Sequence, residues 1–475
     1  MILNDQLWAA SAATLVTLYE SRRASPVEAL APCFDRADFI NPTLNALVTQ
    51  DREGAFKAAR ASEARWTRGK TLGELDGVPL TVKDNIPTAG LRTTWGSRLY
   101  VAHVPKRDES PVARLREAGA VIIGKTNVPE MTLQGYTSNP VFGATRNPWD
   151  ANLTPGGSSG GAVAAVAAVA AGIGPLALAT DGGGSIRRRA SHAGLLGLKP
   201  TAGRVPRRDG LPPILLDFEV VGAISRTVAD LVSAMAVISS PDPRAAGQSG
   251  FRPIEASLRT ASPRRILYVP TFAGAPVDPE VAASVAEAAT ALGDLGHTVA
   301  DGAGFNLADA LNAVWSTIAR TGLAWLIRQQ PDRVAELGPD IRAMAERGAD
   351  LTASDYLDAL HTAFVLRQDL AVLFSSTDMI LTPTAAALPW PADETHPTHI
   401  AGQPVGPRGS AIFTGFVNAA GLPAISIPCQ PSSSGLPIGF QLVAPWGRDE
   451  DLLAIAADYE AAHPWPMSWD TAARA

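Results

Sequence analysis

Short apolar runs alternate with longer amphipathic segments along most of this chain, a pattern typical of strands and helices that follow one another. Residues 121–124 and 176–179 are uniformly apolar and predict buried strands. Residues 265–269, 278–295 and 297–300 then predict a strand, a helix and a strand in succession. This order favours a parallel or mixed sheet covered by helices. We therefore predict an α/β fold with a mixed, largely parallel twisted central sheet.

The two ends of the chain differ in pattern. Residues 5–70 are amphipathic and predict helices, one of them starting at the signal Ser25-Pro26-Val27-Glu28. Residues 425–428 and 438–443 predict late strands that return to the sheet, which argues for one interleaved unit. The predicted units are an N-terminal helical segment (1–70) and an interleaved core (71–475), with a surface connection near 240–263 that is rich in proline, serine and glycine.

One long stretch, residues 151–180, carries no charged side chain and has the hydropathy of a membrane span. It contains Pro155 and Pro175, however, and alanine, glycine and serine outnumber its large apolar side chains. A spanning helix needs about 20 strongly apolar residues. A buried helix followed by a central strand accounts for the composition better, and we expect no membrane association.

Composition and charge exclude several classes of protein. With 46% hydrophobic and 18% charged residues, the 475-residue chain suits a globular protein with a large core. A net charge of −6 and the lack of a long basic run give nucleic-acid binding little support. Cys33 and Cys429 provide neither a disulfide framework nor zinc spacing. We expect a cytoplasmic protein that binds no metal or cofactor and acts on a small molecule. If it forms an assembly, we expect a homodimer.

Three glycines lead directly into Ser185. Glycine lets a substrate approach main-chain N–H groups, which can stabilise an oxyanion while the serine attacks a carbonyl. Taken alone, this run is more often a turn, and residues 156–161 are a loose loop or a phosphate cradle without P-loop spacing. A serine nucleophile needs a base, and no histidine of the chain lies in a nucleophile-elbow context. A lysine is the remaining local option.

Several segments, taken in order, resemble the amidase signature family, which cleaves amide bonds with a Ser–Ser–Lys triad. The likeness covers about residues 77–230 and resumes towards the end of the chain. The resemblance implies the amidase signature fold and a hydrolase of linear amide C–N bonds. The segments that carry it are GVPLTVKDN (77–85), GKTN (124–127), GGSSGG (156–161), TDGGGSIR (180–187), GLKPT (197–201), GLPA (421–424) and GLPIGFQ (435–441).

The resemblance also implies the catalytic residues. Ser185 matches the nucleophile, Lys83 the base and Ser158 the serine that bridges them, with Ser159 as the less favoured bridge. In the family the bridging serine follows a cis peptide bond. The oxyanion hole is expected from the backbone N–H groups of Gly182, Gly183 and Gly184.

Lys83 can act as a base only without its proton. An exposed lysine has a pKa near 10.4, and burial lowers it because the charged form loses its hydration. The apolar neighbours at 78–82 favour burial of Lys83. Asp84 would oppose the shift if its carboxylate lay close to the amine.

Three arginines, Arg187, Arg188 and Arg189, follow the nucleophile. They are either helix-start charges that pair with carboxylates elsewhere or a site for an anionic group of the substrate, since guanidinium binds carboxylate in a two-pronged manner. Arg188 is the best candidate for substrate binding. Met131 is a second candidate, for which core packing is an equal alternative.

Two features depart from the family pattern. Arg189 stands where the family usually has proline, which places a charge near a buried turn and could loosen the loop that carries Ser185. Residues 164–166 and 167–169 read as a duplicated triplet. Three extra helical residues add about 4.5 Å, which would displace the paired serines unless a loop absorbs the change.

Three functions remain open on this sequence. The leading one is a free-standing amidohydrolase that acts on a small carboxamide through a serine acyl-enzyme. The second is a component of an amidotransferase that acts on misacylated tRNA, against which the acidic balance and residues 215–222 weigh. The third is a catalytically impaired, amidase-like binding protein, suggested by Arg189 and the longer alanine-rich segment.

Overall fold

The computed structural model describes residues 4–166, 172–242, 251, 253–255 and 260–465. The α-helices in these ranges are α1 (Ala12–Glu20), α2 (Pro26–Leu44), α3 (Arg52–Thr67), α4 (Ser110–Glu117), α5 (Gly160–Val166), α6 (Arg187–Ala193), α7 (Val228–Ile238), α8 (Pro279–Asp294), α9 (Asp309–Arg328), α10 (Pro339–Ala349), α11 (Ala353–Leu373), α12 (Gly415–Ala420) and α13 (Asp449–Ala462). The strands are β1 (Leu47–Gln50), β2 (Pro79–Lys83), β3 (Val121–Thr126), β4 (Leu176–Asp181), β5 (Leu196–Lys199), β6 (Val220–Ser225), β7 (Arg265–Tyr268), β8 (Thr298–Asp301), β9 (Met379–Pro383), β10 (His399–Ile400), β11 (Gln403–Pro404), β12 (Ala424–Cys429) and β13 (Ile438–Val443).

One large mixed sheet organises the described part of the chain. Its strands follow the order β1-β3-β2-β4-β6-β5-β12-β13-β9-β7-β8. The α/β prediction of a mixed sheet covered by helices is confirmed. Parallel pairing is limited to β3-β2-β4 at one end and β9-β7-β8 at the other, and the centre is antiparallel. The sheet is therefore less parallel than predicted, because strands such as β12 and β13 follow each other without a crossover helix.

Strands from both ends of the chain enter this sheet. The late apolar runs predicted strands that return to the sheet, and β12 and β13 do so, between β5 and β9. β1 lies inside the N-terminal segment that was predicted to be helical, and it pairs with β3. Of the connection predicted near 240–263, residues 243–250, 252 and 256–259 lie outside the described residues. The division into segments 1–70 and 71–475 stays a prediction.

The described part of the uncharged stretch folds as its composition predicted. All side chains of α5 and β4 are buried, and the small residues of α5 let this helix pack closely against the sheet. None of the helices in the described ranges combines the length with the apolar composition that a membrane span requires. Within the same ranges, no group of three or more His, Cys, Asp or Glu side chains is arranged to hold a metal ion.

The topology fixes where polar side chains meet. β2 and β4 are parallel neighbours, so the ends of both strands lie at the same edge of the sheet. β2 ends at Lys83, and β4 ends at Asp181 just before the glycine run. α5 starts directly after the paired serines. Three segments far apart in sequence therefore converge at one edge.

Candidate active site

Lys83, Ser158 and Ser185 lie in hydrogen-bond contact at this edge of the sheet. Lys83 Nζ is 2.7 Å from Ser158 Oγ, and Ser158 Oγ is 2.9 Å from Ser185 Oγ. The backbone N–H of Ser158 donates to Ser185 Oγ over 3.2 Å. Lys83 has no exposed surface, whereas Ser185 is 8% exposed. An unbroken hydrogen-bonded path therefore leads from an accessible hydroxyl to a buried amine.

The two adjacent serines have different contacts. Ser158 touches both Lys83 and Ser185, and the peptide bond between Gly157 and Ser158 is cis. Ser159 Oγ instead donates to the carbonyl oxygen of Thr180, over 3.2 Å. The displacement that a longer alanine-rich segment could cause is not seen, since Ser158 and Ser185 are in contact. The first triplet of that segment, 164–166, belongs to α5. The second triplet, 167–169, lies outside the described residues.

The Lys83 amine is also held from the β4 side. Its Nζ lies 2.8 Å from Thr180 Oγ1 and 3.2 Å from the Thr180 carbonyl oxygen. Asn85 Nδ2 in turn donates to Thr180 Oγ1 over 3.0 Å. A neutral amine can donate two hydrogen bonds to Thr180 and keep its lone pair for the Ser158 hydroxyl. These contacts orient the amine towards Ser158.

Burial sets the charge of Lys83. It lowers the pKa of the Lys83 amine from its usual 10.5 to about 7, against the opposing effect of the Glu219 and Asp181 carboxylates. Asp84 is turned away, because its carboxylate accepts hydrogen bonds from the N–H and the hydroxyl of Thr94. The carboxylates that oppose the lowering of the Lys83 pKa are therefore Glu219 and Asp181, which are distant in sequence, and not Asp84. Near neutral pH, much of Lys83 is unprotonated.

Asp181 shapes the glycine loop. Its carboxylate accepts the N–H of Gly184 over 2.7 Å and that of Ile186 over 3.1 Å. Gly184 has φ +107°, a backbone conformation that residues other than glycine rarely adopt. The Gly184 N–H, one of the three predicted oxyanion donors, is therefore already engaged. The N–H groups of Gly182 and Gly183 have no acceptor among the described residues.

Arg187 holds Asp181 in place. Its Nη2 lies 2.9 Å from Asp181 Oδ1, and both side chains are fully buried. Its guanidinium also donates to Asn418 Oδ1 and Gln441 Oε1, each over 2.6 Å. Burial alone would raise the pKa of Asp181, but the charge of Arg187 outweighs it and holds that pKa far below its usual range. The glycine loop thus rests on a satisfied ionic network that includes α12 and β13.

Arg189 is equally buried but has few partners. Its Nη1 lies 3.3 Å from His192 Nδ1, and its guanidinium carbon lies 5.9 Å from the centre of the Trp390 ring. Its Nε and Nη2 have no hydrogen-bond partner among the described residues. The guanidinium packs so closely against Gly156 that a Cβ atom there would collide with Nη1. The charge expected near the buried turn is present, yet Ser185 keeps its contact with Ser158.

These two buried arginines should respond in opposite ways to the same substitution. We expect Arg187→Met to destabilise the protein by about 3–5 kcal/mol, because it leaves the Asp181 carboxylate buried without its partner. We expect Arg189→Met to leave stability unchanged or raise it by up to about 2 kcal/mol, since it removes a poorly paired buried charge. Urea unfolding at neutral pH measures both. A loss of more than about 2 kcal/mol in Arg189→Met would contradict this account.

The two predicted substrate residues differ in position. Arg188 is 7% exposed, and its Nη2 lies 3.4 Å from the carbonyl oxygen of Gly183. Met131 is completely buried in an apolar cluster that also contains Leu215 and Trp315. A Cβ atom at Gly183 would lie 3.4 Å from Trp315 Nε1, so this cluster borders the glycine loop. A substrate role for either residue stays a prediction.

The sequence did not indicate several residues that hold the site. Thr180 and Gln441 lie inside segments that carry the family resemblance, so a signal existed, but spacing alone assigned them no partner. Asn418 carries no local signal. Its Nδ2 donates to the Asp181 carbonyl oxygen over 2.9 Å only because α12 packs against the end of β4. Contacts of this kind depend on tertiary structure.

Comparison with known proteins supports the resemblance. The amidase family model matches residues 28–453. Among sequence relatives, the A subunit of the glutamyl-tRNA(Gln) amidotransferase from Moorella thermoacetica is 35% identical, over 96% of this chain and 97% of its own length.

Solved structures give the same result. A bacterial aryl acylamidase of the amidase signature family has a TM-score of 0.88 at 27% identity, covering 96% of both chains. The A subunit of the glutamyl-tRNA(Gln) amidotransferase from Thermotoga maritima has a TM-score of 0.73 at 27% identity, covering 91% of both chains. With its fold, its lysine–serine–serine contacts and this match established, the chain belongs to the amidase signature family of amide-cleaving enzymes.

Proposed function

We propose that this chain hydrolyses an amide bond through an acyl-enzyme formed on Ser185. The observation that carries the proposal is the hydrogen-bonded path from Ser185 through Ser158 to Lys83, whose pKa is lowered to about 7 by burial. A serine hydroxyl is a weak nucleophile until a base takes its proton. The neutral Lys83 amine supplies that base near neutral pH.

In the first half-reaction, Ser185 Oγ attacks the amide carbonyl carbon. Its proton passes to Ser158 Oγ while the Ser158 proton passes to Lys83 Nζ. The negative charge that develops on the substrate oxygen is stabilised by backbone N–H groups of Gly182 and Gly183, together with that of Ser185. Each such donor is worth about 3–4 kcal/mol of barrier. Gly184 takes a supporting role, because its N–H holds Asp181.

The tetrahedral intermediate then loses its amine or ammonia. The proton held on Lys83 returns through Ser158 to the departing nitrogen, which leaves a neutral lysine and an ester on Ser185. Water attacks this ester and gives its proton to the same relay. The acid is released and Ser185 is regenerated.

Two kinds of enzyme fit this chemistry, a free-standing amide hydrolase and a component of an amidotransferase. The expectation of a free-standing hydrolase is favoured by the structural match, which is closer to the aryl acylamidase than to the amidotransferase component from Thermotoga maritima. The amidotransferase alternative is favoured by sequence, since the relative from Moorella thermoacetica is 35% identical over nearly its whole length. Under that alternative, the same acyl-enzyme chemistry takes place in a complex with a partner protein, and the complex acts on tRNA. In that case tRNA is a partner, contrary to the expectation that this protein binds no nucleic acid.

Turnover by the isolated chain distinguishes the two. We expect the purified protein, without partner, ATP or tRNA, to release acid and amine from members of a small-amide library, with products detected by mass spectrometry. Turnover that appears only with glutamine, a co-purified partner and misacylated tRNA would establish the amidotransferase instead. Failure under both conditions, together with failure to react with a fluorophosphonate, would favour the impaired binding protein.

A further inference from the structure

Two arginines beside the glycine loop, Arg188 and Arg408, form no ion pair within the described ranges. Arg188 is more than nine-tenths buried, and its Nε has no hydrogen-bond partner there. Arg408 is exposed and precedes α12. Most buried guanidinium groups are matched by carboxylates, because an unpaired charge is costly to remove from water. A partner from outside the chain would therefore stabilise the buried charge of Arg188, and the exposed Arg408 supplies a second positive charge nearby.

Both arginines lie next to one short segment, Thr414 and Gly415, which contacts the glycine loop. Thr414 Oγ1 donates over 2.8 Å to the Gly183 carbonyl oxygen, the same oxygen that Arg188 Nη2 approaches at 3.4 Å. A Cβ atom at Gly415 would lie 3.4 Å from Arg408 Nη2. The guanidinium groups of Arg188 and Arg408 therefore both lie close to this segment and to the loop that precedes Ser185.

A largely buried indole lies beside these charges. The point where a Cβ atom of Gly415 would lie is also 3.8 Å from Trp315 Nε1, and Trp315 packs edge-on against Phe218. An indole next to guanidinium groups suits a substrate that has an apolar body and an anionic end.

The surrounding charges leave the two arginines uncompensated. Burial and the nearby charge of Arg408 lower the pKa of Arg188 to about 9, so it remains cationic at neutral pH. Asp181 is already paired with Arg187. Glu219, close to Gly182, lies 2.9 Å from the guanidinium of Arg207. The positive charge beside the loop therefore has no equal negative charge.

We propose that the substrate is an amide that carries a carboxylate, which binds to the guanidinium groups of Arg188 and Arg408 while the amide carbonyl lies over Ser185. This inference rests on the amide hydrolysis proposed above and specifies its substrate class. A carboxylate supplies the negative charge that Arg188 and Arg408 lack among the described residues, in the planar geometry that guanidinium matches. Binding also fixes the distance from the anionic end to the scissile bond, which makes the enzyme selective for chain length.

The experiment compares anionic amides with neutral isosteres. The anionic series runs from succinamate to adipamate, with N-acetyl-β-alanine as the member that carries its carboxylate on the amine side. In each isostere a methyl ketone replaces the carboxylate, as levulinamide does for succinamate. The quantity measured is the ratio of kcat/KM between each anionic amide and its isostere. The variants are Arg188→Met, Arg188→Lys and Arg408→Met, with Arg347→Met as an exposed control on α10.

We expect the wild-type ratio to exceed one for at least one chain length. In Arg188→Met it should fall by about 10–100-fold, the value of a hydrogen bond to a charged group. Arg188→Lys should recover part of that ratio because it retains the charge, Arg408→Met should lower it by less because Arg408 is exposed, and Arg347→Met should retain it. Arg408→Met also serves if Arg188→Met fails to fold.

Two results would overturn the inference. One is a wild-type enzyme that hydrolyses the neutral isosteres at least as well as every anionic amide. The other is a ratio that survives both Arg188→Met and Arg408→Met. Either leaves amide hydrolysis itself standing, since neutral amides are still turned over and Ser185 still reacts with a fluorophosphonate. Absence of any turnover and of fluorophosphonate labelling would remove the proposed function, and the inference with it.

Discussion

Replacing Ser185 with alanine is expected to lower kcat/KM for every amide substrate by about 10⁴–10⁶, as loss of the nucleophile does in other serine hydrolases. The reason is geometric: Ser185 Oγ is the accessible end of the path to Lys83, and both of its contacts come from Ser158. Alanine removes the attacking atom and leaves the backbone N–H groups of the loop in place. The rate is measured at saturating and limiting substrate, and fluorophosphonate labelling should disappear with it.

Ser159→Ala is the matched control for that variant. Ser159 adjoins the site and is fully buried, but its hydroxyl is bonded to the Thr180 carbonyl oxygen and not to Ser185. We expect it to remain labelled and to lose less than about tenfold in kcat/KM, the effect of one neutral hydrogen bond. Labelling that persists in Ser185→Ala, or that disappears in Ser159→Ala alone, would show that the nucleophile is misassigned.

The sequence predicted the parts of this site that are local. The glycine run after a strand predicted the turn that carries Ser185, because glycine tolerates backbone conformations that other residues resist. The described part of the uncharged stretch forms α5 and β4, as its apolar composition predicted. The family resemblance supplied the pairing of Lys83 with Ser158, which no spacing rule could supply across so many residues. β1 lies in a segment expected to be helical, but the positions of β3, β4, β7, β8, β12 and β13 were predicted from apolar runs. Their direction was not, since an apolar run has the same composition in a parallel and an antiparallel sheet.

The remainder depends on which distant elements meet. Arg187 and Arg189 are two positions apart on α6 and have the same chemistry, yet only Arg187 finds carboxylate and amide partners. Those partners come from β4, α12 and β13, and their convergence follows from the insertion of β12 and β13 beside β5. The same insertion carries Thr414 and Arg408 to the glycine loop. The substrate contact that we propose therefore combines Arg188 from the first half of the chain with Arg408 from the second.

The pH dependence of catalysis should report the Lys83 amine directly. Because its pKa is lowered to about 7, the wild-type kcat/KM for a neutral amide should fall about tenfold per pH unit below that value and level off above it. The sign follows from the role of the base, since only the unprotonated amine accepts the proton from Ser158. An ordinary exposed lysine would instead keep the rate rising towards pH 10, which would contradict the assignment.

Lys83→Met removes this titration and the proton acceptor together. We expect kcat/KM to fall by about 10³–10⁴ and the remaining rate to lose the inflection near neutral pH. The control is Lys199→Met, because burial also lowers the pKa of Lys199 to about 7, yet its amine donates to the Pro200 carbonyl oxygen and not to either serine. If the inflection disappears in Lys199→Met and survives in Lys83→Met, the base is not Lys83. A retained inflection in Lys199→Met, with its loss in Lys83→Met, ties the acyl-transfer chemistry to the amine at the end of β2.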